Sequence, residues 1–245
     1  MKIAIMATGG VGAVFGAELL EAGADVYFIA RGEHLRAIRD TGLMIAGDES
    51  EKLIKNVQAT DDPEDVGTVD IILFAVKLWD TEIAAELCKP MLGPNTILIP
   101  LQNGVASTET IAKIVGKEQT GRGLSRVSAS IDRPGVIRRV GTFGSLAFAE
   151  ANGEKSPRLE NFLEICKSAN IDAEVPKDIF RALWQKFVLL VAVSGMTTAA
   201  RHPMRSLIRS QEGLLTAVSC MTEVAEVGRA HGIDLPGDTV TKLTE

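Results

Sequence analysis

Cysteine, histidine and aromatic side chains are scarce in this chain. Cys88, Cys166 and Cys220 are its only cysteines, far apart and without a C-x-x-C pair, which argues against a disulfide framework and against a thiolate zinc site. His34, His202 and His231 are its only histidines and share no metal-ligand spacing, so no metal is expected. A basic excess is also missing. Lysine and arginine number 26 against 32 acidic residues, a formal net charge of -6, which argues against nucleic acid as a general partner. The longest apolar stretch, residues 187–200, is short and interrupted, so no bilayer span is expected. Lys2 leads into a five-residue apolar run rather than a signal peptide, and the expected location is cytoplasmic. What remains is an ordinary globular composition, 46% hydrophobic and 24% charged over 245 residues. That is enough for one large or two modest domains.

The first thirty-one residues carry the strongest pattern. Residues 2–6 are a short apolar run, the right length for a strand buried on both faces. Ala7-Thr8-Gly9-Gly10-Val11-Gly12 follows, and Val11, Val14, Phe15, Leu19 and Leu20 then recur at helical spacing up to Gly23. Residues 25–30 read as a second strand. The result is a βαβ opening with a glycine-rich turn at a helix N-terminus. Unpaired N–H groups and partial positive charge there can hold a pyrophosphate. Gly9 would admit phosphates close to the backbone, and Gly12 would let the helix pack on the strand. The fingerprint G-x-G-x-x-G has Ala7 in place of its first glycine. Its position between a strand and a helix favours a dinucleotide site over a tight βα turn in some other α/β protein.

The second strand ends at Ala30-Arg31. An acidic residue there would serve a ribose 2′-hydroxyl, and an arginine serves a 2′-phosphate. Asp25 lies at the wrong end of the strand, and Glu33 is a weaker rival inside the next turn. Arg31 therefore points to NADP(H), the alternative being a solvated surface arginine.

Further along, residues 34–40 read as a short helix and residues 47–52 as a polar connection. Residues 70–76 form a buried strand ending at Lys77, residues 79–89 a helix, residues 96–101 a strand ending at Gln102-Asn103-Gly104, and residues 108–115 a helix. Alternation at this spacing predicts a parallel, doubly wound sheet. Ligands of such sheets sit beyond the strands' carboxyl ends, where Thr8, Arg31, Lys77 and Asn103 all fall. Lys77 could offset phosphate charge, and Asn103 could orient a substrate or the nicotinamide; singly, each could be a surface or turn residue. Residues 125–130 and 135–141 alternate like antiparallel strands around Arg133-Pro134-Gly135. An amphipathic helix over 158–169 and a strand over 172–175 follow.

Pro176 marks the expected boundary between a Rossmann-like domain, residues 1–176, and an all-α domain, residues 177–245. Asp178 can cap a helix running towards Ala200 that is apolar nearly all round, and so is expected at the centre of that domain. Lys186 is the exception, with Ala182, Leu183, Leu189 and Leu190 around it at helical spacing. Burial would ease release of its proton; alternatively, its stem lies on the core and its amine reaches water.

Five motifs occur together in this order: the turn from Ala7 to Gly12, Phe28-Ile29-Ala30-Arg31, Val76-Lys77-Leu78-Trp79, Leu101-Gln102-Asn103-Gly104-Val105, and Ala182-Leu183-Trp184-Gln185-Lys186-Phe187. With them the chain resembles the ketopantoate reductase (2-dehydropantoate 2-reductase) family along its whole length. The resemblance implies a Rossmann domain joined to a helical domain, with the active site in the cleft between them. It implies NADPH-dependent reduction of ketopantoate to pantoate, a coenzyme A precursor. Lys186 is then the general acid at the ketone oxygen, and Asn103 helps hold substrate and cofactor. A homodimer is the candidate assembly.

Two departures bear on substrate. The family commonly carries asparagines four and eight residues beyond the lysine, where this chain has Leu190 and Ser194. Substrate recognition at those positions is expected to differ. The family also continues into a segment that supplies a serine and a glutamate, whereas this sequence ends at Glu245. The helical domain is thus expected to be truncated, and ketopantoate turnover to be poor. Three functions follow: a ketopantoate reductase, a reductase for another small 2-oxo acid, and a non-catalytic nucleotide-binding sensor. The retained Lys186 speaks against the third.

Overall fold

The computed structural model describes residues 1–244. It divides into two compact units, Met1–Lys177 and Asp178–Glu245.

The first unit runs β1 (Lys2–Met6), α1 (Gly10–Glu21), β2 (Asp25–Ile29), α2 (Gly32–Thr41), β3 (Leu43–Ala46), β4 (Glu51–Ile54), β5 (Gln58–Thr60), β6 (Ile71–Phe74), α3 (Thr81–Leu87), β7 (Ile97–Pro100), α4 (Ser107–Val115), β8 (Gly121–Arg133), β9 (Val136–Glu150), α5 (Pro157–Ser168) and β10 (Asp172–Glu174). Its main sheet has the order β5-β2-β1-β6-β7, with every pair parallel. A parallel sheet needs cover on both faces, so its strands must be apolar throughout; β6 and β7 are buried at every residue. Alternate side chains then feed two separate cores. Ile3, Ile5, Ile71, Leu73, Ile97 and Ile99 join Phe15 and Phe28 on one face, and Ala4, Met6, Ile72, Phe74 and Leu98 join Ala84, Ala85 and Ile111 on the other. From β1 the chain moves outward to β2 on one side and returns to β6 on the other. The strand order therefore reverses at the carboxyl end of β1, where such sheets open a crevice.

A second sheet was only partly legible. β9 is its spine, pairing with β8 antiparallel and with β3 and β10 parallel. The connection expected over residues 47–52 is the turn of a hairpin plus the first two residues of its second strand, β3 against β4, registered from Leu43↔Ile54 to Ala46↔Glu51. β4 reads Glu-Lys-Leu-Ile with only Ile54 buried, so it has no apolar alternation to announce it. The helix expected over 79–89 is shorter. A 3₁₀ turn at Leu78–Asp80 precedes α3, and another at Lys89–Met91 follows it, because Pro90 lacks the N–H that would continue an α-helix.

The second unit holds α6 (Ile179–Ala200), α7 (Met204–Leu207), α8 (Gln211–Ala230) and α9 (Thr239–Thr244). Asp178 caps α6 by accepting the Arg181 N–H at 2.9 Å. α6 packs along α8. Trp184 stacks edge-on against Phe187, with ring centroids 5.7 Å apart, and a side chain at Gly228 of α8 would fall 2.8 Å from the Trp184 ring. Arg181 pairs with Asp234 beyond α8. Two expectations are corrected here. α6 is not buried all round: its buried residues are Ile179, Leu183, Trp184, Val188 and Ala192, a single stripe, and Leu189 is exposed. The apolar segment is also not confined to residues 187–200. The helix continues through Lys186 and Gln185 to Ile179, and by length and composition alone it is long and apolar enough to cross a membrane, a test that the core helix of a soluble protein also passes.

Candidate active site

Beyond Met6 the chain must leave the β1 ladder and enter α1 within a few residues. It does so with Ala7 at φ 74°. That is the left-handed region, which disfavours any residue with a Cβ, and it explains why a glycine is the usual choice there. The next residue pins the turn to β2: the Thr8 N–H and hydroxyl both donate to the Ile29 carbonyl at 2.9 Å. Gly9 is the N-cap of α1; its carbonyl accepts from the Ala13 N–H at 2.9 Å, leaving the amides of the first helical turn for a ligand. A Cβ on Gly9 would meet nothing within 4 Å, so the space beside the turn is open. A Cβ on Gly12 would lie 2.5 Å from the Ala7 carbonyl oxygen and 2.7 Å from Ile5 Cγ2. Only glycine lets α1 approach β1 this closely. Val11 and Gly10 complete the first turn of the helix.

The neighbouring strand ends supply the charges. Arg31 follows β2, is exposed in an extended conformation at φ −136° and caps α2 without a side-chain hydrogen bond. Glu33, its acidic rival, instead reaches Arg36 at 3.7 Å. Lys77 follows the β6 end, exposed, at the entry to the 3₁₀ turn. Asn103 follows β7, exposed, and precedes Gly104 at φ 97°. Its neighbour Gln102 is 7% exposed. The Gln102 amide donates to the Thr81 hydroxyl at 2.8 Å, which donates to the Leu78 carbonyl at 2.7 Å. This chain of bonds ties the Gln102-Asn103-Gly104 loop to the turn that carries Lys77. Ala7 to Gly12, Arg31, Lys77 and Asn103 thus lie at the carboxyl ends of four neighbouring strands, β2-β1-β6-β7.

These features fit a dinucleotide phosphate. The helix amides and the open space beside Gly9 suit the pyrophosphate. Arg31, a cation whose side chain has no hydrogen bond or ion pair among the described residues, suits a further phosphate. Buried thiols are unsuited to chemistry here, since burial pushes Cys88 and Cys166 up to about 12.

The remaining candidates lie on α6 of the second unit. Lys186 is partly buried, two turns beyond the Asp178 cap. Leu190 and Ser194 follow at four-residue steps on the same helical face. Ser194 is exposed, and its hydroxyl donates back to the Leu190 carbonyl at 2.7 Å. Neither position offers an amide. Two residues drew no weight from sequence. Gln102 lay within a quoted motif, but as a buried structural donor it has no pattern of its own. His34, discussed below, sits inside a helix where spacing marks nothing.

Comparison with known proteins adds two family matches. Residues 3–153 match the model described as "Ketopantoate reductase PanE/ApbA", and residues 178–245 match "Ketopantoate reductase PanE/ApbA C terminal". Among sequence relatives, the uncharacterized oxidoreductase YkpB of Bacillus subtilis (strain 168) is 28% identical over 238 residues, covering 95% of this chain and 76% of that protein. Among solved structures, 2-dehydropantoate 2-reductase from Porphyromonas gingivalis W83 superposes with a TM-score of 0.91 at 31% identity, covering 99% of this chain and 86% of the other. A D-mandelate dehydrogenase complex with NADH and anilino(oxo)acetate gives a TM-score of 0.90 at 22% identity, over 100% of this chain and 78% of the other, a likeness of fold.

Proposed function

The chain belongs to the ketopantoate reductase family, and from that premise we propose that it reduces ketopantoate to pantoate in the cytoplasm, on the route to pantothenate and coenzyme A. This is an NADP(H)-dependent oxidoreductase of a family that reduces 2-oxo acids. Family membership also removes the non-catalytic sensor from consideration. Lys186, retained in mid-helix within the matched helical region, carries the reductase chemistry, and ketopantoate as the substrate rests on the two family matches.

Each residue's part follows from its chemistry. The α1 amides at Gly10, Val11 and Gly12 bind the pyrophosphate, with Ala7, Thr8 and Gly9 shaping the turn. Arg31 grips the 2′-phosphate bidentately, and Lys77 offsets phosphate charge. The cofactor, when bound, supplies hydride to the carbonyl carbon. Negative charge then develops on the ketone oxygen, and Lys186 delivers a proton there. Asn103 offers a donor and an acceptor to hold substrate against cofactor. A homodimer is the proposed assembly.

A second reading, a reductase for another small 2-oxo acid, rests on the bond from Ser194 to the Leu190 carbonyl. Substrate hydroxyls would meet a leucine and an already-engaged serine. The discriminating experiment follows NADPH loss across a panel of 2-oxo acids, with the hydroxy acid product quantified. Ketopantoate as the best substrate supports the first reading, and a different 2-oxo acid supports the second. Failure of every 2-oxo acid to consume NADPH overturns both.

A further inference from the structure

His34 joins three pieces of the first unit. It lies in α2, three residues beyond Arg31. Its Nε2 is 2.8 Å from the carbonyl oxygen of Thr8, inside the glycine turn. Its Nδ1 accepts the N–H of Gly135, at the tip of the β8–β9 hairpin, at 3.0 Å. A carbonyl can only accept and a backbone amide can only donate, so these partners require the neutral ring with its proton on Nε2.

The hairpin meets the turn at a second point. A Cβ on Gly10 would lie 2.2 Å from the Ala129 carbonyl oxygen of β8, so that strand rests directly on the first residue of α1. The hairpin tip is itself fixed: the Gly135 carbonyl accepts from the Met44 N–H at 2.9 Å, and a Cβ on Gly135 would come 3.0 Å from Ala37 Cβ of α2. The glycine turn, the start of α2 and the hairpin therefore form one braced corner, with the imidazole as its cross-piece.

We propose that His34 is a positioning residue of the cofactor site, holding the left-handed turn at Ala7-Thr8 and the Arg31-bearing end of α2 in register. The proposal rests on reading that turn as the cofactor seat. Ala7 is a residue whose backbone resists the conformation it holds, so an external brace on the adjacent carbonyl has a clear use. Without it, both the amides for the pyrophosphate and the guanidinium for the 2′-phosphate lose their fixed separation.

The test has two arms, neither of which depends on turnover. Nitrogen NMR of the histidine side chains in the ligand-free protein should show His34 as the Nε2–H tautomer; an Nδ1–H tautomer or a ring averaging between the two overturns the proposal. Titration with NADPH should show His34→Ala binding about tenfold more weakly, from two lost hydrogen bonds. His34→Gln, whose amide offers one donor and one acceptor, should recover most of that loss. Wild-type affinity in the Ala variant overturns the proposal, as does a Gln variant no better than Ala. If wild-type protein itself fails to bind NADPH, the cofactor reading is what fails, and the tautomer arm still decides whether the brace exists.

Discussion

In the sheet unit the candidate groups stand at strand ends, where the chain leaves its hydrogen-bonded ladder. In the helical unit they stand in mid-helix, where the backbone is already paired. At the end of β1 the proposed functional groups belong to the backbone: the amides at Gly10, Val11 and Gly12 begin a helix and have no partner within it. Side-chain identity can drift there as long as the path of the chain survives, and Ala7 at φ 74° is such a drift. On α6 only side chains can act. A change there alters chemistry directly, so Leu190 removes a polar group outright, and Ser194 turns its hydroxyl onto the helix. On the proposed reading, the sheet unit holds the cofactor and supplies Asn103 to the substrate, while the helical unit supplies the proton donor Lys186.

That division can be attacked through single substitutions. Lys186→Ala should lower turnover on the best 2-oxo acid by ~10²–10⁴, and Lys186→Arg should recover little, since guanidinium does not readily release a proton. Steady-state kinetics on the substrate panel provide the check. Arg31→Ala should weaken NADPH about tenfold, the low end for charge-assisted bonds because the site is exposed. NADH affinity should stay level, and equal losses for both cofactors would remove Arg31 from 2′-phosphate recognition. Ala7→Gly relieves a left-handed residue at the cost of some chain entropy. Stability should rise by about 0.5–1 kcal/mol, read as a higher denaturant midpoint at unchanged slope. Ser194→Ala should do least, changing kcat/KM within about twofold, because its hydroxyl already serves the Leu190 carbonyl.

How far the sequence could be read follows the same division. The parallel sheet was legible because burial on both faces makes β6, β7 and the part of β1 after Lys2 uninterrupted apolar runs. The positions of Thr8, Arg31, Lys77 and Asn103 were legible with it, since strand ends mark where ligands sit. β4 was not, because an exposed edge strand that reads Glu-Lys-Leu-Ile has no period. The brace at His34 was invisible because its partners, the Thr8 carbonyl and the Gly135 amide, are backbone atoms that no side-chain pattern encodes. The burial of α6 was misjudged for a different reason. A helix apolar on every side reads as a core helix, yet α8 covers one stripe and leaves Leu189 to solvent.

The division of labour is tested most directly by measuring NADPH dissociation constant and cofactor-saturated turnover side by side for Lys186→Ala and Arg31→Ala. The account predicts a clean crossing: Lys186→Ala keeps wild-type NADPH affinity and loses turnover, while Arg31→Ala loses affinity and keeps saturated turnover. Wild-type turnover in Lys186→Ala, or a loss of NADPH affinity there as large as in Arg31→Ala, would contradict it.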